Sequence, residues 1–186
     1  PEMVTVTVGA KGALFNAALA LFEPGDEVVI PAPYWVSYPE QVRMMGAEPV
    51  FIPSALETGW KISPEALAKA LTPRTKAVIL CSPSNPTGAA YTESELAALM
   101  DAVRPHDCWI IADEIYGSLV YDGFVQRSIL NVAPDLAPRT VIIDGASKTY
   151  AMTGWRAGWS IAPTHLAKAM DVIQSQGATS TATMTQ

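Results

Sequence analysis

The chain has 186 residues, enough for one domain with a sizeable core. Its make-up, 49% hydrophobic and 16% charged, excludes the disordered and coiled-coil classes. Eighteen acidic against twelve basic residues, a formal net charge of −6, leave no broad basic face for nucleic-acid phosphates or anionic lipid. No apolar run approaches the roughly 20 residues of a membrane helix, and Pro1-Glu2-Met3-Val4 lacks the layout of a signal peptide. Partners among nucleic acids and membranes are therefore not expected.

In chain order, Val4 to Val8 reads as a strand end, followed by a helix from about Lys11 to Phe22 with Leu14, Ala17, Ala18 and Leu21 on one face. Pro24-Gly25-Asp26 makes a turn before a buried strand at Glu27–Ile30. Tyr38 to Met45 predicts a helix ended by Gly46, and Pro49–Ile52 a short strand. Ser63-Pro64 opens the next helix, with serine as cap and proline in the first turn. Lys76 to Cys81 is a strand that runs into a loop, Ser82-Pro83-Ser84-Asn85-Pro86-Thr87-Gly88. Thr92 and Glu95 form a capping box for a helix to about Val103. Trp109–Ala112 and Thr140–Ile143 are strands, and His165 to about Gln174 is a helix. Cys81 and Cys108, both in apolar strand-like segments, read as buried thiols rather than a disulfide or metal pair. A reducing cytoplasm is the expected compartment.

Strand–helix alternation of this kind predicts an α/β fold: a mostly parallel sheet covered by helices on both faces, a three-layer α/β/α arrangement. In such folds ligands bind beyond the carboxyl ends of the strands. The residues just after the strands are Gly9-Ala10-Lys11, Tyr34-Trp35, Ser84-Asn85, Asp113-Glu114-Tyr116 and Ser147-Lys148.

Lys148 lies in the loop after the Thr140–Ile143 strand. Out of context it reads as a solvated surface charge; held where its amine loses a proton, it would attack a carbonyl and form a Schiff base. A P-loop is ruled out, because serine rather than glycine precedes the lysine. Arg156, between Trp155 and Trp159, either stacks on a surface or anchors a phosphate through its planar fork. Gly9-Ala10-Lys11 adds a helix N-terminus with free amides. Asp113, at a strand end, needs a partner for its charge; a structural arginine or a protonated pyridine nitrogen would serve. Asn85 and Tyr116 would hydrogen-bond a phenolic oxygen, and Trp35 would stack on a ring. Phosphate donors, a carboxylate, a stacking aromatic, two hydrogen-bonding side chains and an attacking lysine together form the set that pyridoxal 5'-phosphate needs.

Five stretches resemble class I aminotransferases of fold type I, with the likeness greatest to the bacterial aspartate aminotransferase subgroup. They are Gly9-Ala10-Lys11-Gly12-Ala13-Leu14, Pro31 to Pro39, Ser82 to Gly88, Asp113-Glu114-Ile115-Tyr116, and Ser147 to Arg156. The resemblance implies that Lys148 carries the cofactor as a Schiff base and shuttles the substrate proton. Asp113 would keep the pyridine nitrogen protonated, Asn85 and Tyr116 would contact the phenolate oxygen, and Trp35 would stack on the ring. The backbone around Ala10 and Lys11, with Ser147 and Arg156, would hold the phosphate. The implied activity moves an amino group between an amino acid, aspartate-like or aromatic, and a 2-oxo acid, in a homodimer.

Family chains are longer at both ends. Residues 1–186 thus read as the core of the large cofactor-binding domain, without the N-terminal segment and the C-terminal small domain. A pyridoxal-phosphate carbon–sulfur lyase or synthase on the same scaffold shares nearly every cofactor residue. A non-catalytic aminotransferase-like sensor domain of a transcription regulator is the alternative from another class; it would need a DNA-binding segment upstream.

Overall fold

Buried β-branched runs alternating with amphipathic stretches resolve, in the computed structural model of residues 1–186, into seven strands and seven α-helices. They follow as β1 (Val4–Val8), α1 (Gly9–Leu21), β2 (Glu27–Ala32), α2 (Ser37–Met44), β3 (Glu48–Pro53), α3 (Pro64–Ala70) and β4 (Thr75–Cys81). Then come α4 (Glu93–Val103), β5 (Trp109–Asp113), α5 (Ile129–Val132), β6 (Thr140–Gly145), α6 (Ala146–Thr149), β7 (Ala157–Ile161) and α7 (Thr164–Gln176). All seven strands join one sheet in the order β1-β7-β6-β5-β4-β2-β3. The five strands from β3 to β6 pair in parallel; β7 runs antiparallel to both β6 and β1. No helix is long and apolar enough to cross a membrane.

The two sheet faces are visible in the alternation of single strands. Val28 and Ile30, Ala77 and Ile79, Ile111, and Val141 and Ile143 face one core, which α1, α2 and α7 complete. Val29, Val78 and Leu80, Ile110 and Ala112, and Ile142 face the other, under α3, α4 and α5. A parallel strand buried on both faces needs such an unbroken apolar run, and the three-layer arrangement follows.

Local signals act where expected. Ser63 Oγ accepts from the Ala66 amide at 3.2 Å and caps α3. At α4, Thr92 Oγ1 accepts from the Glu95 amide at 3.3 Å while Glu95 Oε2 accepts from the Thr92 amide at 2.7 Å, so two amides of the first turn are satisfied reciprocally. Both cysteines are free thiols. Three features differ from the sequence reading. The single helical turn α5, Ile129–Val132, is not announced, being too short for a periodicity. Residues 157–161 form a strand the pattern does not announce, because Gly158 interrupts a β-like run. Lys148 sits on a single helical turn, α6, rather than in a loop.

Candidate active site

Strand parity decides which side chains meet. Counting in twos from the apolar residues of the α1/α2/α7 face, Cys81 ends β4 and Asp113 ends β5 on that same face, and the two are direct neighbours in the parallel register. Beyond them opens a cavity of about 180 Å³. Ala10 and Lys11 line it from the start of α1, and Trp35 from the turn before α2. Asn85 reaches it from the loop after β4, and Asp113 and Tyr116 from the end of β5. Ser147 and Lys148 enter from α6, and Arg156 from the residue before β7. All nine residues singled out in the sequence thus border one crevice, together with Tyr38, Ile115 and Thr153.

At its floor lies Asp113, 3% exposed. Its Oδ2 accepts the Tyr38 hydroxyl at 2.6 Å, and its Oδ1 accepts the Ile115 amide at 3.3 Å. Neither partner is a cation, and none of the six ion pairs of the chain includes it. Burial pushes its carboxyl up to about 6, with the Tyr38 and Ile115 hydrogen bonds pulling the other way. A buried carboxylate without a cation costs several kcal/mol, so this one is poised for a cation arriving in the cavity. The structural arginine considered from the sequence is not its partner. Tyr38 takes that place.

The opposite requirement holds at the α1 end. No side chain caps the α1 N-terminus, leaving its first amides and the positive end of its dipole free. The Arg156 guanidinium lies directly over Gly9: a Cβ there would come within 2.4 Å of an Arg156 terminal nitrogen. Gly9 has φ +73° and Arg156 φ +53°, so both residues adopt left-handed backbone to bring the guanidinium onto the helix end. Arg156 Nη1 also donates to Thr153 O at 3.0 Å. Two positive features packed together with Ser147 beside them suit an anion such as a phosphate.

This cradle depends on Gly158. In β7 it passes beneath the α1 start so closely that a Cβ would sit 2.2 Å from Gly9 C and 2.3 Å from the Ala10 nitrogen. Both are backbone atoms and cannot rotate away. Gly158→Ala is expected to cost about 3 kcal/mol through overpacking and to push the α1 N-terminus off the cavity. Gly154→Ala, where nothing lies within 4 Å, should stay within about 0.5 kcal/mol of the parent. Urea melts of the two variants check this; equal midpoints would refute the close-approach argument.

Between the two poles stand the remaining groups. Lys148 Nζ lies 5.6 Å from the Tyr116 ring centroid. The Tyr116 phenol is held above its ordinary value by burial and by the nearby Cys81 and Asp113, with the Asn85 amide drawing it back down. Trp35 meets Tyr38 edge-on, centroids 5.5 Å apart at 88°, and Lys11 Nζ rests 4.9 Å from the Trp35 ring. Tyr38 escapes the sequence reading although its signal is there. It falls three residues after Trp35, at the entry to α2.

The model of the family described as aminotransferase class I and II matches residues 1–186. The chain belongs to the class I and II aminotransferases. Over its whole length it is 49% identical to an aspartate/prephenate aminotransferase of Cereibacter sphaeroides, covering 47% of that protein. It is 47% identical, again over its whole length, to an aspartate aminotransferase of Geobacillus stearothermophilus, of which it covers 47%. The solved aspartate aminotransferase of Thermus thermophilus with maleate superposes with a TM-score of 0.95 at 45% identity, over all of this chain and 48% of that one. The chain therefore spans about half the length of the curated relatives it matches. This family of aminotransferases depends on pyridoxal phosphate. The donor set fits that group: an unpaired buried carboxylate for a ring N–H⁺, a cationic helix end for a phosphate, and an amine between them.

Proposed function

We propose that this protein is a pyridoxal-phosphate aminotransferase that moves an amino group between an amino acid and a 2-oxo acid. Residues 1–186 serve as the core of its cofactor-binding domain. The observation that carries the reading is Asp113, a carboxylate 3% exposed with no cationic partner, on the floor of a cavity whose other end gathers Arg156 and the free amides of α1. A single ligand cationic at one end and anionic at the other satisfies both.

When bound, pyridoxal phosphate supplies an aldehyde that takes up the amino group and a ring that draws electrons from the substrate α-carbon. Asp113 would hold a proton on the ring nitrogen by charge pairing, which would keep the ring electron-poor. Asn85 and Tyr116 would hydrogen-bond its phenolic oxygen, and Trp35 would stack on the ring. The amides of Ala10 and Lys11, the Ser147 hydroxyl and the Arg156 guanidinium bind the phosphate. Lys148 Nζ would be the covalent anchor, and as a free amine it would carry the proton from the substrate α-carbon to the cofactor's former aldehyde carbon, the net shift that amino-group transfer needs.

Aspartate is the first substrate proposed, with aromatic amino acids or prephenate second. The relatives are named aspartate and aspartate/prephenate aminotransferases, and one is solved with maleate, a dicarboxylate. A homodimer working in the cytoplasm completes the proposal. The test is to mix the purified protein with pyridoxal phosphate, reduce with borohydride, and locate the modified peptide by mass spectrometry. Lys11 lines the same cavity and serves as the internal comparison. The pyridoxyl group is expected on Lys148 alone; labelling scattered over surface lysines, or centred on Lys11, would overturn the reading.

A further inference from the structure

We propose that Tyr38 is a positioning residue for the reaction: its hydroxyl holds the Asp113 carboxylate as an anion aimed into the cavity, and so sets how firmly the cofactor's ring nitrogen keeps its proton. This rests on the function proposed above.

Tyr38 is the second residue of α2 and is 3% exposed. Its ring is held edge-on against Trp35, which lines the same cavity. The 2.6 Å from its hydroxyl to Asp113 Oδ2 is the short distance of a charge-assisted O–H···O⁻ bond. The other carboxylate oxygen has only the longer Ile115 amide contact. Tyr38 is therefore the principal support of the Asp113 charge from within the protein.

The remaining ionisable groups around Asp113 do not replace it. The Cys81 thiol on β4 is pushed up to about 12 by burial and stays neutral. Asp144 on β6 acts on Asp113 as a like charge, and Glu114, the next residue along, is an acid as well. Tyr116 is a phenol held neutral by burial. Lys148 and Lys11 line the cavity but make no ion pair with Asp113. Without the Tyr38 hydroxyl, the carboxylate keeps one weak amide bond and favours its neutral acid. A neutral acid pairs poorly with a pyridinium, because the shared proton then sits on the carboxyl group and the ring nitrogen is left neutral.

The test compares parent and Tyr38→Phe after loading with pyridoxal phosphate carrying ¹⁵N in the ring. Borohydride labelling of Lys148 in both checks loading. The ¹⁵N shift then follows ring-nitrogen protonation against pH, and the ³¹P shift reports the phosphate cradle at the far end of the cavity. In Tyr38→Phe the ratio of protonated to neutral ring nitrogen, read from the ¹⁵N shift near neutral pH, is expected to fall about 10-fold, the scale of one hydrogen bond to a charged group, with ³¹P unmoved. A fluorinated tyrosine at position 38, a stronger donor of nearly the same shape, should raise the protonated share of the ring nitrogen and makes the test independent of how well phenylalanine packs. An unchanged protonated share in both variants overturns the proposal, and so do ¹⁵N and ³¹P signals that shift together, which mark a merely structural role. Failure of the parent to label at Lys148 removes the underlying function and the proposal with it.

Discussion

Lys148→Ala is expected to abolish the pyridoxyl adduct and to slow the proposed amino-group transfer by about 10⁴-fold, the upper range for losing a positioned proton carrier. The expectation comes from geometry as much as from chemistry. Lys148 leaves β6 on the single turn of α6, half-buried, with its amine 5.6 Å from the Tyr116 ring centroid. The only other amine lining the cavity is Lys11, parked over Trp35 at the α1 end, where the proposed phosphate lies. Mass spectrometry after reduction and single-turnover kinetics with aspartate make the comparison. Lys11→Ala should retain the adduct on Lys148 and lose far less rate. An adduct that survives in Lys148→Ala and moves to Lys11 would show that the cavity admits a second anchoring amine, and the assignment of Lys148 would fail.

Much of this architecture is legible before any coordinates, and what is not has identifiable causes. Ile110, Ile111 and Ala112 read as a strand buried on both faces, because neither parity position is polar; the two cores confirm the doubly covered sheet. The caps at Ser63 and Thr92 are local, so sequence spacing suffices to locate α3 and α4. β7 is hidden because its middle is governed by a distant neighbour. Gly158 weakens the β pattern yet is required where the strand passes under Gly9, a contact between residues 149 positions apart. The α6 turn is hidden by its four residues, too few for any periodicity to register.

The same division runs through the candidate site. Asp113 and Lys148 stand out because a charged residue after a strand needs an explanation, and Arg156 because it lies between Trp155 and Trp159. Tyr38 does not: a tyrosine on an amphipathic helix reads as core, and only the 2.6 Å contact across 75 positions of sequence reveals its partner. The sequence therefore shows the charges of the site, whereas the hydrogen bond that orients Asp113 emerges from the packing of α2 on the sheet.

Asp113→Asn is expected to move stability and chemistry in opposite directions. Burial raises the Asp113 carboxyl from its ordinary 3.8 to about 6, so the folded, cofactor-free protein binds this proton more tightly than the unfolded chain does. Between these two values the native state holds more protons than the unfolded state, and the unfolding free energy falls as pH rises. Above pH 6 the whole cost is present, about 3 kcal/mol for a shift of roughly two units. Glu27, Glu95 and Asp135 are shifted downward by their partners and contribute with the opposite sign, so the pH dependence of the parent alone does not isolate the effect. The pH dependence of the difference between parent and Asp113→Asn does, since asparagine keeps a carbonyl for the Tyr38 hydroxyl and carries no charge, while its loss of the Ile115 amide contact is a pH-independent offset. Without cofactor at pH 7, the variant should melt about 5–10 °C above the parent, and the gap should close near pH 4. With pyridoxal phosphate loaded, the order reverses in function: the ring nitrogen loses its anion, and amino-group transfer should drop about 10²–10³-fold, the scale for removing one preorganised electrostatic partner. Calorimetry of both cofactor-free proteins across this pH range, with half-reaction rates of the loaded ones, carries the comparison. A variant no more stable than the parent at pH 7 would mean that Asp113 already has a cation in the folded chain, and that the floor of the cavity is not waiting for one.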